Sequence, residues 1–187
     1  MLWLLACFAR NALNLGEGID HANDVSLPVA FELITKPIRF SVVKTRKEKK
    51  RSDVTKNELL RSMISSCQKN QLKWRYILAD SWFSSSENMT FVHKKVKKYF
   101  IFALKSNRLV ALSLKDKKQG KFVRIDKLEW SEEPVQGWVK GQDFPVLLHR
   151  QVFTNKDDSI GILYLITNDL NLTKETLETT YKKRWKA

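Results

Sequence analysis

Asp80 closes the string WRYILAD, in which residues 74–79, all but Arg75 aromatic or aliphatic, lead directly to a carboxylate. A short, continuous apolar run of this kind predicts a buried strand. A carboxylate leaving the C-terminal end of such a strand in an α/β sheet points into the crevice where ligands bind. The competing role is an aspartate that caps a helix or closes a turn. Three basic clusters accompany it: Lys44 to Arg51 with six cations in eight positions, Lys94 to Lys98, and Lys182 to Lys186. Blocks of like charge repel one another unless an anion is near, so each is either a solvated segment or a phosphate contact.

Other chemistries lack their residues. Cys7 and Cys67 lie far apart with no CxxC spacing, and His21, His93 and His149 form no HExxH or HxH pattern. Zinc and redox-pair motifs are therefore absent, and a reducing cytoplasmic setting is expected. There is no Gly-rich phosphate loop, no G-x-S-x-G elbow and no arrangement of a Ser or Cys nucleophile. The balance of 34 Lys and Arg against 20 Asp and Glu gives a net charge of +14, which favours a polyanionic partner, nucleic acid ahead of an anionic membrane. The apolar run from Leu2 to Phe8 is too short to span a bilayer and no other run approaches eighteen residues, so no membrane partner is expected.

The elements that must position Asp80 follow from periodicity. Residues 23–44 are rich in Val, Ile, Phe and Leu and broken by Pro28 and Pro37, which predicts two short strands, one at an edge. Ser52 and Asp53, followed by Asn57 and Glu58, carry helix-start chemistry. Leu59, Leu60, Met63, Ile64 and Cys67 then mark an amphipathic helix from about Lys56 to Lys69. After Asp80, the serines 84–86 with Glu87 start a second helix, with Met89, Val92, His93 and Val96 on one face. YFIFAL (99–104) is another buried strand, so residues 58–104 read α, β, α, β. Asp80 is expected to face the N-terminal half of the helix beginning at Thr173, or its continuation.

From about Asn107 to Thr167 the runs VALSL, KFVRIDKLEW, GWVKG, FPVLLHRQVF and GILYLIT predict strands without a helical period. Thr173 as cap, Glu175, and Leu177, Thr180, Tyr181 and Arg184 at three- and four-residue steps predict the last helix. The organisation is then an atypical N-terminal segment (1–20), an α/β core part (21–106), a β-rich insertion (107–167) and the start of a C-terminal helix (168–187).

YILADSWFSS before a helix, YFIFALKSNRL, LYLITND and ETTYKKRW together resemble the DDE transposases of bacterial insertion sequences, over about His21 to the end. Among these, the chain is similar to the IS-four-like group, relatives of the Tn-five transposase, whose catalytic helix carries Y-(2)-R-(3)-E-(6)-K. Tyr181 and Arg184 match its first two positions. The resemblance implies an RNase H-like mixed sheet with helices, interrupted by the β-rich insertion. It implies three carboxylates that bind two Mg²⁺ (or Mn²⁺) ions, with Asp80 as the second acid. It also implies that Tyr181, Lys182, Lys183 and Arg184 contact DNA near the cleaved transposon end, with another transposase protomer as a further partner. Two departures stand out. The signature Glu would fall at position 188 while the sequence given ends at Ala187, and the first Asp has no match, Asp20 and Asp24 being poor substitutes. The expectation is a domain fragment, truncated at both ends, that binds DNA and does not cleave it alone. The alternative is a non-enzymatic basic nucleic-acid-binding protein in which Asp80 only caps a helix.

Overall fold

A computed structural model describes the backbone of residues 3–8, 15–22, 25–33, 36–42, 47–155 and 157–185, and the side chains of residues 36–42, 48–155 and 157–184. Twelve strands are described: β1 (Trp3–Phe8), β2 (Leu15–Ala22), β3 (Val25–Leu33), β4 (Ile38–Val42), β5 (Lys47–Arg51), β6 (Tyr76–Ala79), β7 (Tyr99–Leu104), β8 (Leu109–Ala111), β9 (Val123–Arg124), β10 (Val135–Val139), β11 (Val146–Thr154) and β12 (Ile160–Thr167). The α-helices are α1 (Lys56–Lys69), α2 (Ser86–Thr90), α3 (Leu114–Lys118) and α4 (Lys174–Lys182). Ten strands form one mixed sheet in the order β3-β2-β1-β6-β7-β12-β11-β10-β8-β9, and β4 and β5 form a separate hairpin. β6 is parallel to both of its neighbours, β1 and β7, and the other pairings are antiparallel.

Alternation along the central strands explains why WRYILA and YFIFAL carry almost no polar residues. Ile77, Ala79, Phe100, Phe102, Leu104 and Ile166 face one core with Leu60, Met63 and Ile64 of α1 and Met89 of α2. Tyr76, Leu78, Ile101, Ala103 and Leu165 face the other, with Leu177 and Tyr181 of α4. A sheet covered on both faces needs apolar side chains at consecutive positions. The same alternation assigns Asp80, next in line after Ala79, to the α4 side.

Helix starts are set by local hydrogen bonds. α1 begins at Thr55, not at Ser52 or Asp53: the Thr55 hydroxyl accepts from Glu58 N at 3.2 Å, and the Glu58 carboxylate accepts from Thr55 N at 2.7 Å. This reciprocal box satisfies two amides that a helix start leaves without partners. Accepting those bonds holds the Glu58 carboxyl below its ordinary range. The Ser85 hydroxyl accepts from Asn88 N at 3.1 Å to start α2, which continues as a π turn over Phe91–Val96 and ends at Lys97 with a left-handed φ of 54°. Met89, Val92 and Val96 are buried there, while His93 is half-buried and stacks on Phe144 at 4.0 Å.

Several expectations are modified. The described residues of the 107–167 region contain one α-helix, α3, begun by Ser113 accepting from Asp116 N at 3.0 Å, and a 3-10 turn at Ile125–Lys127. All five strands of the same region, β8 to β12, join the large sheet, β12 lying against β7. β5 turns the basic run 47–51 into a strand instead of a loop. The N-terminal run WLLACF, part of the segment set apart as atypical, forms β1 between β2 and β6. No helix among the described residues is long and apolar enough to cross a membrane.

Candidate functional site

Asp80 stands at the C-terminal end of β6, half-buried, beside the parallel strand β7, which runs on to Leu104. Its Oδ1 accepts from Trp82 N at 2.8 Å and its carbonyl accepts from Phe83 N at 3.1 Å, so the chain turns sharply after the strand. Phe83 is buried and anchors the turn, while the Trp82 ring is 72% exposed. Lys105, just beyond β7, places Nζ 4.8 Å from the centroid of the Trp82 ring. Arg108 donates to the Ser84 carbonyl, and burial pushes its guanidinium down from the ordinary arginine value.

α4 meets this edge through Tyr181. The ring is 1% exposed, and its hydroxyl donates to the Ala79 carbonyl at 3.3 Å, one residue before Asp80. Burial, aided by the negative charge of Asp80 and opposed by Arg184, pushes the Tyr181 hydroxyl up to about 12. The half-buried Arg184 guanidinium lies 5.5 Å from the Tyr181 ring centroid. Lys182 is exposed and Lys183 half-buried on the same helix end.

Asp80, Tyr181 and Arg184 are therefore brought together, with Lys182 and Lys183 next to them. Tyr181 packs in the core with Leu78, Ile101 and Leu177. Asp80 lies one residue beyond Ala79, the residue that Tyr181 of α4 reaches.

The carboxylate complement is short. β1 contains no acid, and continuing its register with β6 from Leu5 opposite Leu78 puts Cys7 beside Asp80. Asp20 lies on β2 opposite Leu4, whereas Glu17, not singled out in the sequence, lies opposite Cys7 and so in register with Asp80 two strands away. Asp24 lies outside the described residues. Among the described residues no group of three His, Cys, Asp or Glu could hold a metal ion. A Mg²⁺ pair needs several oxygen ligands in near-octahedral placement, so the described side chains do not fit a two-metal centre.

Other polar contacts fix the surroundings of α4 and carried no periodic signal. The Tyr76 hydroxyl donates to buried Asp169, whose carboxylate also lies 3.6 Å from Arg75. His149, 1% exposed, sits 2.8 Å from Glu178 of α4, which also accepts from Gln151 at 3.2 Å. Asn168 accepts from Phe100 N at 2.8 Å and donates to the Lys98 carbonyl at 3.0 Å. Of the basic clusters, Lys49, Lys50 and Arg51 are exposed on the β4–β5 hairpin, and Lys94 pairs with Asp143 while Lys95 and Lys97 remain exposed. Lys44, Arg46 and Lys186 lie outside the described residues.

A mixed sheet with helices on both faces and an acid at the end of an interior parallel strand defines an α/β domain. A sequence model of the transposase DDE domain matches residues 39–187, a span that includes Asp80, Tyr181 and Arg184. The chain belongs to the transposase DDE domain family. Its function is accordingly that of a transposase, in DNA transposition. A search of curated proteins found no match.

Proposed function

We propose that this chain is the DNA-binding body of an insertion-sequence transposase of the IS-four-like group, with Asp80 as the second of its three acids. The observation that carries the reading is the position of Asp80 at the end of interior strand β6, one residue beyond the carbonyl held by Tyr181. The strand order, with antiparallel β3, β2 and β1 leading to parallel β6 and β7, supports an RNase H-like core. The strands from β8 to β12 lie in the chain between Asp80 and α4, as an insertion between second and third acids would.

In this reading Arg184, Lys182 and Lys183 bind phosphates near the cleaved end, Arg184 through paired bonds. Tyr181 acts through them: it is a positioning residue that sets α4 against β6. Because Asp80 is the one described carboxylate at this edge, cleavage requires carboxylates from outside the described side chains. No metal-dependent step is assigned to the chain alone.

The test is a pair of assays on the purified chain. Duplex binding should weaken with salt, log K falling by about 0.9 per log unit of salt for each phosphate neutralised. Nicking and joining by this chain alone should be undetectable in Mg²⁺ or Mn²⁺. A salt slope near zero removes DNA from the reading. Metal-dependent nicking by the 187-residue chain, lost on Asp80→Ala or Glu17→Gln, would show that a second acid such as Glu17 already serves.

A further inference from the structure

Trp82 is the most exposed aromatic side chain among the described residues, yet its backbone is pinned on both sides. Its amide donates to Asp80 Oδ1 at 2.8 Å; the next residue, Phe83, is buried; and the Ser84 hydroxyl donates to the Ser81 carbonyl at 3.0 Å. Arg108 holds the Ser84 carbonyl from the segment that follows β7. The ring is thus held out from a fixed turn, two residues beyond Asp80, with Lys105 4.8 Å from its centroid. At 72% exposure the ring keeps a broad open surface beside this cation.

An open aromatic face paired with a cation matches a nucleotide: the base stacks on the ring and the phosphate meets the ammonium. A duplex hides the faces of its bases, so only an unpaired nucleotide can use such a platform. The net charge of +14 disfavours a cationic partner and favours a polyanion. We propose that Trp82 and Lys105 form a stacking subsite for an unpaired nucleotide of the DNA strand that reaches Asp80. This rests on the DNA-binding reading above and adds to it a preference for single-stranded or locally opened DNA.

The experiment compares the full chain, Trp82→Ala, Trp82→Phe and Lys105→Gln by fluorescence anisotropy on a labelled oligo(dT) and on a blunt duplex. Trp82→Ala should weaken single-strand binding roughly 5- to 150-fold, the range that loss of one base–aromatic stack produces. Its duplex affinity should stay within about twofold, since phosphate contacts supply that term. Trp82→Phe should recover part of the loss. Lys105→Gln should reduce the single-strand salt slope by about 0.7. Because Trp82 is exposed, its variants should melt as the parent does. Equal effects on both DNAs, no effect on the single strand, or a change of oligomeric state in place of a change in single-strand affinity would overturn the subsite. If duplex binding persists in any of these cases, the transposase reading stands without it. Failure to bind either DNA overturns both.

Discussion

Replacing Tyr181 by Phe separates its two conceivable roles, because the substitution removes only the hydroxyl. That hydroxyl makes a buried bond of 3.3 Å to Ala79 O, at the long end of the useful range. A net contribution of about 0.5–1 kcal/mol is expected, the lower half of what a neutral hydrogen bond gives. For a chain of this length that is a fall of about 1–4 °C in Tm. Tyr181→Ala also empties a site that is 1% exposed, and should cost about 3–5 kcal/mol, as for other aromatic truncations. Urea unfolding reads both as shifts of midpoint at unchanged slope. Alkaline pH gives a second reading. With the folded hydroxyl pushed up to about 12, Tyr181 stabilises the fold fully below the ordinary value near 10, and that contribution is lost as pH rises from 10 through 12. Tyr76 moves in the same direction through burial and Asp169, so two of the four tyrosines should titrate late by tyrosinate absorbance. If Tyr181→Phe left stability unchanged but weakened duplex binding severalfold, the hydroxyl would be meeting a phosphate and its core placement would be refuted.

Thr55→Ala should lower stability by about 1 kcal/mol by removing the reciprocal cap of α1, read as a urea midpoint. In the parent, that cap should weaken as acid protonates Glu58, whose folded value is held below 4.5, so its contribution is present above 4.5 and lost as pH falls through the lowered value. Gly137→Ala should cost about 1–3 kcal/mol by overpacking, since a Cβ there would lie 2.9 Å from Leu148 Cδ1 and 3.0 Å from the Ala111 carbonyl. An unchanged melting temperature would show that β8 and β10 can separate without loss.

Periodicity was sufficient wherever one segment decides its own state. The bounds of α1, the β6 and β7 strands, the Ser85 helix start and the Thr173 cap follow from local spacing and capping chemistry. α3 escaped because five residues are too few for a period, although Ser113 and Asp116 carry a capping pair. The strand order was not legible, since register across β1, β6, β7 and β12 depends on partners distant in sequence. The site divides in the same way. A carboxylate directly after an apolar run revealed Asp80, and the three- and four-residue steps of α4 placed Tyr181 with Leu177, with which it packs in one core cluster. The Asp169 and His149–Glu178 contacts arise only once the sheet and α4 are packed together.

The strand that delivers Asp80 has a kinetic consequence as well as a geometric one. Hairpins such as β2–β3 and β11–β12 join neighbours in the chain and can close quickly. β6 instead needs Trp3 opposite Tyr76 on one side, and the β7 beside it needs Tyr164 opposite Leu104. Both pairings close long loops, whose entropy is lost before any contact compensates for it. Until they close, the apolar edges of β6 and β7 stand open to the edges of other chains. Refolding at rising protein concentration should therefore lose yield at this pair of strands first, and a DNA ligand that binds only the finished edge would arrive too late to protect it.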